Sequence, residues 1–394
     1  MKRRQAIKIS SIAAIGATAT ISSGCSTNEF SFNHGVASGD PLEDRVILWT
    51  RVTPSKPGPL NVILEISQNE KFSDIAFVKK LQTSSLSDYT IKYDFLANKY
   101  CDGHKGFFYR FRAGDAISDT GQSKIFSSET QKIKIGIFSC SNYPAGYFNA
   151  YEAAAEKNDL DLWLHLGDYL YEYPMGGYAT ESAEKLGRTP NPKHEMITLS
   201  DYRKRHAQYK LDQGSKALHK NAPLIAVWDD HEFTNDSWKY GAENHQNDEG
   251  FFQSRKANAI KAYLEWMPIR ENKSKLKIWR KFEVGNLFQL LMLDTRSIYR
   301  DKQLNIEDYF DDNIINKSKY KRDLSLDRKL IGLEQMLWIK NNLNKKFKWS
   351  IIGQQVLMAQ VYLPTIFANM NKKILPDYLH KYLKIGGAKV PYNT

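Results

Sequence analysis

Four short apolar runs in this chain each stop at side chains that bind metals or anions. The stretch Leu160–Glu172 reads LDLWLHLGDYLYE. Its apolar part, Leu160 to Leu166, suits a strand buried on both faces. Gly167 then permits a turn or a close backbone approach, and Asp168, Tyr169 and Tyr171 follow at once. IGIFS runs into Cys140 and Ser141, and LIAVW runs into Asp229, Asp230, His231 and Glu232. LFQLLML runs into Asp294, Thr295 and Arg296. Open α/β sheets bind ligands at the carboxyl edge of their strands. If the four runs are parallel neighbours, a buried thiolate, several carboxylates, a phenol, a histidine and an arginine face each other. Such a set is a polynuclear metal site with an anion-binding rim.

The rest of the chain divides around that constellation. From Phe30 to about Thr130, short β-branched and aromatic runs (VILWTRV, LNVILEI, IAFVKKL, FFYRFRA) alternate with turn clusters such as SGDP and CDGHKG. This predicts an all-β sandwich over residues 30–130, with His34 as a structural histidine. From Lys132 strand-like and helical runs alternate, which predicts βαβ units and a parallel sheet. Helices are expected over Gly146–Lys157, Ser200–Leu218 with Ser200 as N-cap, Phe252–Met267, and Leu330–Leu343 with apolar Leu333, Met336, Leu337 and Ile339. Glu172–Ile197 leaves directly from Tyr171 and reads as a wall of the site. Ile298–Arg328 lacks clear period and reads as a surface excursion. Trp163, Trp228 and Trp238 read as core.

Composition adds bounds. The 394 residues carry 42% hydrophobic and 25% charged residues, ordinary for a globular protein. The net charge of +12 lies partly in the start of the chain and partly in lysines of solvated helix faces. It calls for no stable nucleic-acid partner. Residues 1–25 read as an export signal: a basic start, then an apolar small-residue stretch. KRRQAIK resembles a twin-arginine signal, which implies the twin-arginine translocation machinery as partner and a periplasmic or cell-surface location. Ser-Ser-Gly-Cys25 resembles a lipoprotein cleavage box, with membrane attachment through a lipid on Cys25; ordinary cleavage near Gly24 is the alternative. Cys101 and Cys140 could pair in an oxidising compartment, but a reduced, metal-bound Cys140 fits its strand tip better.

The residue types define a chemistry. Hydrolysing a phosphate ester requires neutralised oxygens, an ionised water and a stabilised leaving group, and two or more metal ions supply all three. Asp168 suits a bridging carboxylate. Cys140 and Tyr171 suit Fe3+ better than magnesium or calcium. Asp230 and Asn235 offer oxygens that suit Ca2+. His231 can donate to phosphate or orient a ligand, and Arg296 can clamp phosphate oxygens.

These blocks resemble the alkaline phosphatase D family of metallophosphoesterases. FNHGVASGDPLEDRVILWTRVTP, FSCSNY, HLGDYLYEY, DYRKRHAQYKLD, VWDDHEFTND, EWMPIR, LMLDTRSIYR and LIGLEQMLWI match its successive motifs. The resemblance implies an N-terminal immunoglobulin- or fibronectin-like sandwich followed by an α/β metallophosphoesterase domain over 131–394. It implies a ferric ion and calcium ions, with Cys140, Asp168, Tyr171, Asp230 and Asn235 as metal ligands. His231 and Arg296 carry over as catalytic groups, and the substrate is a phosphate mono- or diester. One departure stands out. The family continues into Trp-Asp-Gly-Tyr and Gly-Asp-x-His segments, whereas this sequence ends at VPYNT. An incomplete second domain, exposed apolar surface, an unpaired sheet edge and impaired activity are the expectations that follow.

Two other readings stay open. One is a nuclease or phospholipase acting on diesters at the cell surface, with the loop after Tyr171 shaping a long groove. The other is an inactive surface protein that binds phosphate esters without turnover.

Overall fold

The structure, a computed structural model, describes residues 29–357 except 273, 275, 312 and 313. The export signal, Cys25 and the chain after Leu357 lie outside the described residues. No helix among the described residues is long and apolar enough to cross a membrane. Thirteen strands matter for the argument. In chain order they are β1 Val36–Gly39, β2 Val46–Arg51, β3 Leu60–Ser67, β4 Ile75–Thr83, β5 Thr90–Phe95, β6 Phe107–Ala113 and β7 Gly121–Ser123. Then follow β8 Ile135–Phe138, β9 Leu162–His165, β10 Leu224–Ala226, β11 Arg280–Val284, β12 Phe288–Met292 and β13 Trp349–Gly353. The main helices are α1 Asn149–Lys157, α2 Leu199–Tyr209, α3 Gln213–Asn221, α4 Phe252–Trp266, α5 Lys317–Leu324 and α6 Gly332–Asn342.

Alternation of inward apolar and outward polar residues makes β3, β4, β6 and β7 an antiparallel sheet, in the order β7-β6-β3-β4. Val62, Leu64, Phe107, Tyr109 and Phe111 from this sheet share a core with Val46, Leu48, Ile91 and Phe95. The latter belong to a six-stranded sheet in the order β8-β9-β10-β1-β2-β5. That sheet is parallel from β8 through β10 to β1 and antiparallel beyond. It therefore takes strands from both sides of residue 130. The junction is the pair Leu224–Gly39, reinforced by Asp40 N–H donating to the Leu224 carbonyl at 2.8 Å. A Cβ on Gly39 would sit 2.1 Å from the Pro268 carbonyl oxygen, so only glycine lets the two chains pass this closely.

Three of the four apolar runs are the parallel neighbours β8, β9 and β10. The fourth is not. β12 pairs antiparallel with β11 and parallel with β13 in a separate three-stranded sheet. The run Leu160–Leu166 is buried through β9, as its unbroken apolarity requires. Among the described residues β8 is an edge strand, so Ile137 is 62% exposed and Cys140 is exposed, not buried.

The expected helix Ser200–Leu218 is two helices. Thr198, not Ser200, caps α2 in a capping box with Asp201. Asp212 then accepts from Ser215 N–H and starts α3, because a carboxylate placed there satisfies a fresh helix N-terminus. Gly214 in α3 lies against the Phe148 carbonyl, where a Cβ would come within 2.8 Å. Ile298–Arg328, expected without regular structure, contains α5. α6 forms where expected, but its apolar residues do not face a core. Leu333, Met336 and Leu337 are exposed, and so are Trp349 and Ile352 of β13, which pairs only with β12 among the described residues. The buried residue of α6 is Gln335, whose amide holds both the N–H and the carbonyl of Asp294. Trp163 and Trp228 are core; Trp238 is half-buried. His34 is buried edge-on against Trp266.

Candidate metal centre

The tips of β8 and β9 are locked to each other. Cys140 N–H donates to the Gly167 carbonyl at 3.2 Å, and Ser141 N–H to the Asp168 carbonyl at 2.9 Å. Both Cys140 and Asp168 have positive φ, 59° and 56°, a strained conformation for residues with a Cβ that commonly marks functional turns. The two turns bring a thiol and a phenol onto one carboxylate oxygen. The Cys140 thiol lies 3.5 Å and the Tyr171 hydroxyl 3.3 Å from the same oxygen, Oδ2 of Asp168. The other oxygen of Asp168 is buried without a hydrogen-bond partner.

Two further elements close the site. Asp168, Asp230 and His231 each offer a ligand atom, and these atoms lie within 4.8 Å of one another. A cation held there would explain the orphaned Asp168 oxygen and would let thiol, phenol and carboxylate lose their protons together. Desolvation opposes charge on each of the three. Cys140 is exposed as a residue, but partial covering of its sulfur at the strand tip raises the thiol; burial raises the Tyr171 phenol and pushes Asp168 up to about 6. The residues present thus fit a metal ion of high charge with sulfur and phenol oxygen ligands.

His231 is fixed from behind. Its Nδ1 donates to Oε2 of Glu172 at 2.7 Å, and Glu172 has no exposed surface. Oε1 of Glu172 accepts from Asn235 N–H and from the Asn244 amide, each at 2.8 Å. Burial works against charge on His231, yet Glu172, Asp230 and Asp168 outweigh it and hold the imidazole up at about 9. The ring also stacks on Tyr171, with centroids 4.1 Å apart. The chain after Tyr171 lies along this side: Tyr173 packs on His231 and Tyr178 on Tyr171.

Arg296 sits among carboxylates. Its Nε donates to Asp229 at 2.6 Å, and its terminal nitrogens lie 3.4 Å from Asp230 and 3.4 Å from Asp236. Burial raises Asp229 to about 7. Burial also opposes the ionised form of Asp230, but Arg296 and His231 prevail and lower it. Asn235 is connected to the site through its main chain; its amide nitrogen donates to Glu243 at 3.0 Å.

Two carboxylates carry roles that their place in the motifs did not single out. Glu232 accepts from the N–H groups of Tyr169 at 2.6 Å, Asp168 at 3.0 Å and Asp229 at 2.7 Å, and so shapes the turn after Gly167. Glu172 holds His231. The signal for both is their company: each lies in the same motif as an acid read as a ligand, Glu172 with Asp168 and Glu232 with Asp230. Asp294, at the tip of β12, is structural, its Oδ1 accepting from the N–H groups of Arg296 and Ser297.

The chain is similar to known proteins along most of its length. Residues 135–380 match the family model of PhoD-like phosphatases, and residues 17–127 match the model of the N-terminal domain of PhoD-like phosphatases. Alkaline phosphatase D of Bacillus subtilis (strain 168) is 36% identical over 353 residues, 84% of this chain and 57% of that protein. A solved structure of PhoD superimposes with a TM-score of 0.72 at 33% identity, covering 84% of this chain and 63% of that one. The chain thus spans under two thirds of the length of these relatives. With the family model matched from β8 onward across all four tips of the site, the chain belongs to the PhoD-like phosphatase family.

Proposed function

We propose that this chain is an exported, metal-dependent phosphoric ester hydrolase acting on phosphate mono- or diesters. In this reading residues 30–130 are the immunoglobulin-like sandwich and residues 131–394 the metallophosphoesterase unit. Residues 1–25 direct passage through the twin-arginine machinery to the periplasm or cell surface, where a lipid on Cys25 can hold the protein.

The observation that carries the reading is the meeting of a thiol and a phenol on one carboxylate oxygen of Asp168. Cys140, Tyr171 and Asp168 would hold Fe3+, and Asp230 and Asn235, with the Asp168 carboxylate beside them, would hold Ca2+. When bound, the cations would neutralise phosphate oxygens and make water acidic enough to attack. Glu172 keeps the Nδ1 proton of His231 engaged, so the imidazole turns Nε2 towards the phosphate. Arg296 keeps Asp230 ionised for its cation and offers charge to the phosphate rim.

The test is metal analysis of the purified chain together with hydrolysis of p-nitrophenyl phosphate and bis-p-nitrophenyl phosphate. Cys140→Ser with Tyr171→Phe is expected to abolish iron binding and hydrolysis. Full iron content in the double variant would overturn the assignment.

A further inference from the structure

A second basic region lies just outside Arg296. It is a cavity of about 280 Å³, with Arg300, Gln303, Arg328 and Lys329 on its polar side and Leu330 and Val356 on its apolar side. Its position is fixed by hydrogen bonds. Gln303 Nε2 donates to the main-chain carbonyl of Asp236 at 3.1 Å, and the carboxylate of Asp236 is the outermost partner of Arg296. Lys239 N–H donates to the Arg300 carbonyl at 2.9 Å. The cavity is therefore one residue outward from the rim of the metal centre.

The cations here are placed differently from Arg296. Arg296 meets three carboxylates. Arg300, half-buried, has its hydrogen bond to the neutral side-chain oxygen of Gln303 at 3.5 Å, with no ion pair among the described residues. Arg328 donates to the Lys302 carbonyl at 2.6 Å. The one carboxylate in the wall among the described residues, Asp301, accepts from the main-chain N–H of Lys329 at 2.7 Å, and Lys329 pairs with exposed Asp327 at 3.3 Å. Desolvating a guanidinium without a carboxylate is costly. Burial, and then Arg296 nearby, push Arg300 down to about 10, although Asp229, Asp236 and Asp230 act the other way from beyond hydrogen-bond reach. An anion in the cavity would relieve that cost, and Leu330 and Val356 would cover the carbon skeleton bearing it.

We propose that this cavity is a subsite for a second phosphate group of the substrate, with Arg300 and Arg328 as its cationic contacts. The proposal rests on the reading that the scissile phosphate lies at the rim of Arg296. It makes an organic phosphate with a further phosphate on its leaving group a better ligand than a lone monoester. Forked guanidinium groups suit phosphate oxygens, and the volume admits one phosphate with a few carbons.

The experiment measures calorimetric affinities of the metal-loaded full chain for inorganic phosphate and for alkane bisphosphonates of graded length. At one chain length the bisphosphonate is expected to bind about tenfold or more tighter than phosphate, the effect of one added charge-assisted contact. Arg300→Gln is expected to remove that preference and Arg300→Lys to restore part of it. Arg328→Gln, which leaves Arg300 in place, is expected to reduce it. No preference in the unmodified chain, or a preference that survives both glutamine substitutions, overturns the subsite. A chain that hydrolyses no ester but shows the Arg300-dependent preference keeps the subsite and loses the hydrolase reading. Hydrolysis without the preference does the reverse.

Discussion

Nδ1 of His231 lies 2.7 Å from Oε2 of Glu172, a carboxylate with no exposed surface. The contact fixes which imidazole nitrogen carries the proton towards the interior, because a carboxylate ion only accepts. It leaves Nε2 as the ring nitrogen that Glu172 does not engage. Glu172→Gln keeps the shape but turns either an amide N–H or a weaker acceptor towards His231. Hydrolysis is expected to fall about 10- to 100-fold, as when other hydrogen-bond partners of metal-site groups are lost, because Nε2 is no longer aimed at the phosphate. Glu172→Ala also leaves the N–H of Asn235 and the amide of Asn244 without their acceptor, and costs about 3 kcal/mol of stability. Hydrolysis of p-nitrophenyl phosphate and urea denaturation check both. Unchanged hydrolysis in Glu172→Gln would refute the positioning role.

Gly39 is where the antiparallel and parallel parts of the six-stranded sheet meet. A Cβ there would lie 2.1 Å from the Pro268 oxygen and 2.7 Å from the Leu224 oxygen, both main-chain atoms that cannot swing aside. Gly39→Ala is expected to destabilise the protein by about 3 kcal/mol, the upper end of overpacking costs. Gly146, where a Cβ would meet nothing within 4 Å, serves as control, its alanine variant staying within about 0.5 kcal/mol. If the sheet is one cooperative unit, urea unfolding of Gly39→Ala shifts as a single transition. A separate early transition in the N-terminal strands would show that the seam carries little stability.

Much of this arrangement was legible in the sequence because unbroken apolar runs imply buried strands, and buried strands put their terminal residues at one edge. Cys140, Asp168 and Tyr171 were readable for that reason. The membership of β12 in a second sheet was not, since periodicity reports burial and not strand neighbours. The exposure of Cys140 was missed because β8 is an edge strand, a property set by sheet order. The split of the helix after Tyr209 turned on Asp212, whose capping role competes with helix continuation. Glu172 and Glu232 escaped notice because a carboxylate that holds main-chain and imidazole N–H groups looks, in sequence, like any other acid beside a metal motif.

Acid should destabilise the fold through its buried histidines. Burial pushes His34 and His165 down from 6.5 to about 3. Above pH 6.5 both are neutral folded or unfolded, and their stabilising contribution is complete. Between pH 6.5 and about 3 the unfolded chain takes up protons that the folded chain refuses, so stability falls as pH drops. The cost reaches about 2 kcal/mol per histidine at pH 5. His34→Gln removes one of these groups and should flatten the decline of denaturation midpoints between pH 7 and pH 5. An equally steep decline in that variant would assign the acid sensitivity elsewhere.

Arg205 fastens the segment that runs from Tyr171 past the metal centre. The side chain is fully buried, and its guanidinium donates to the carbonyls of Tyr171, Tyr173, Asn191 and Pro192. One planar fork thereby ties both ends of the 172–192 stretch, while Tyr173 and Tyr178 lean on His231 and Tyr171. A lysine ammonium carries three donors on a point, without the fork, and reaches fewer of the four oxygens. Arg205→Lys is expected to cost about 2 kcal/mol through carbonyls left unpaired. It should also speed tryptic cleavage at Lys185, Lys193 and neighbouring sites, since opening of this stretch no longer requires breaking the clamp. Cleavage followed by mass spectrometry under native conditions checks this, with Arg203→Lys, whose side chain pairs with Glu265 on the outer side of α2, as the comparison. Equal cleavage rates in the two variants would mean that the stretch is held by its aromatic contacts, not by Arg205.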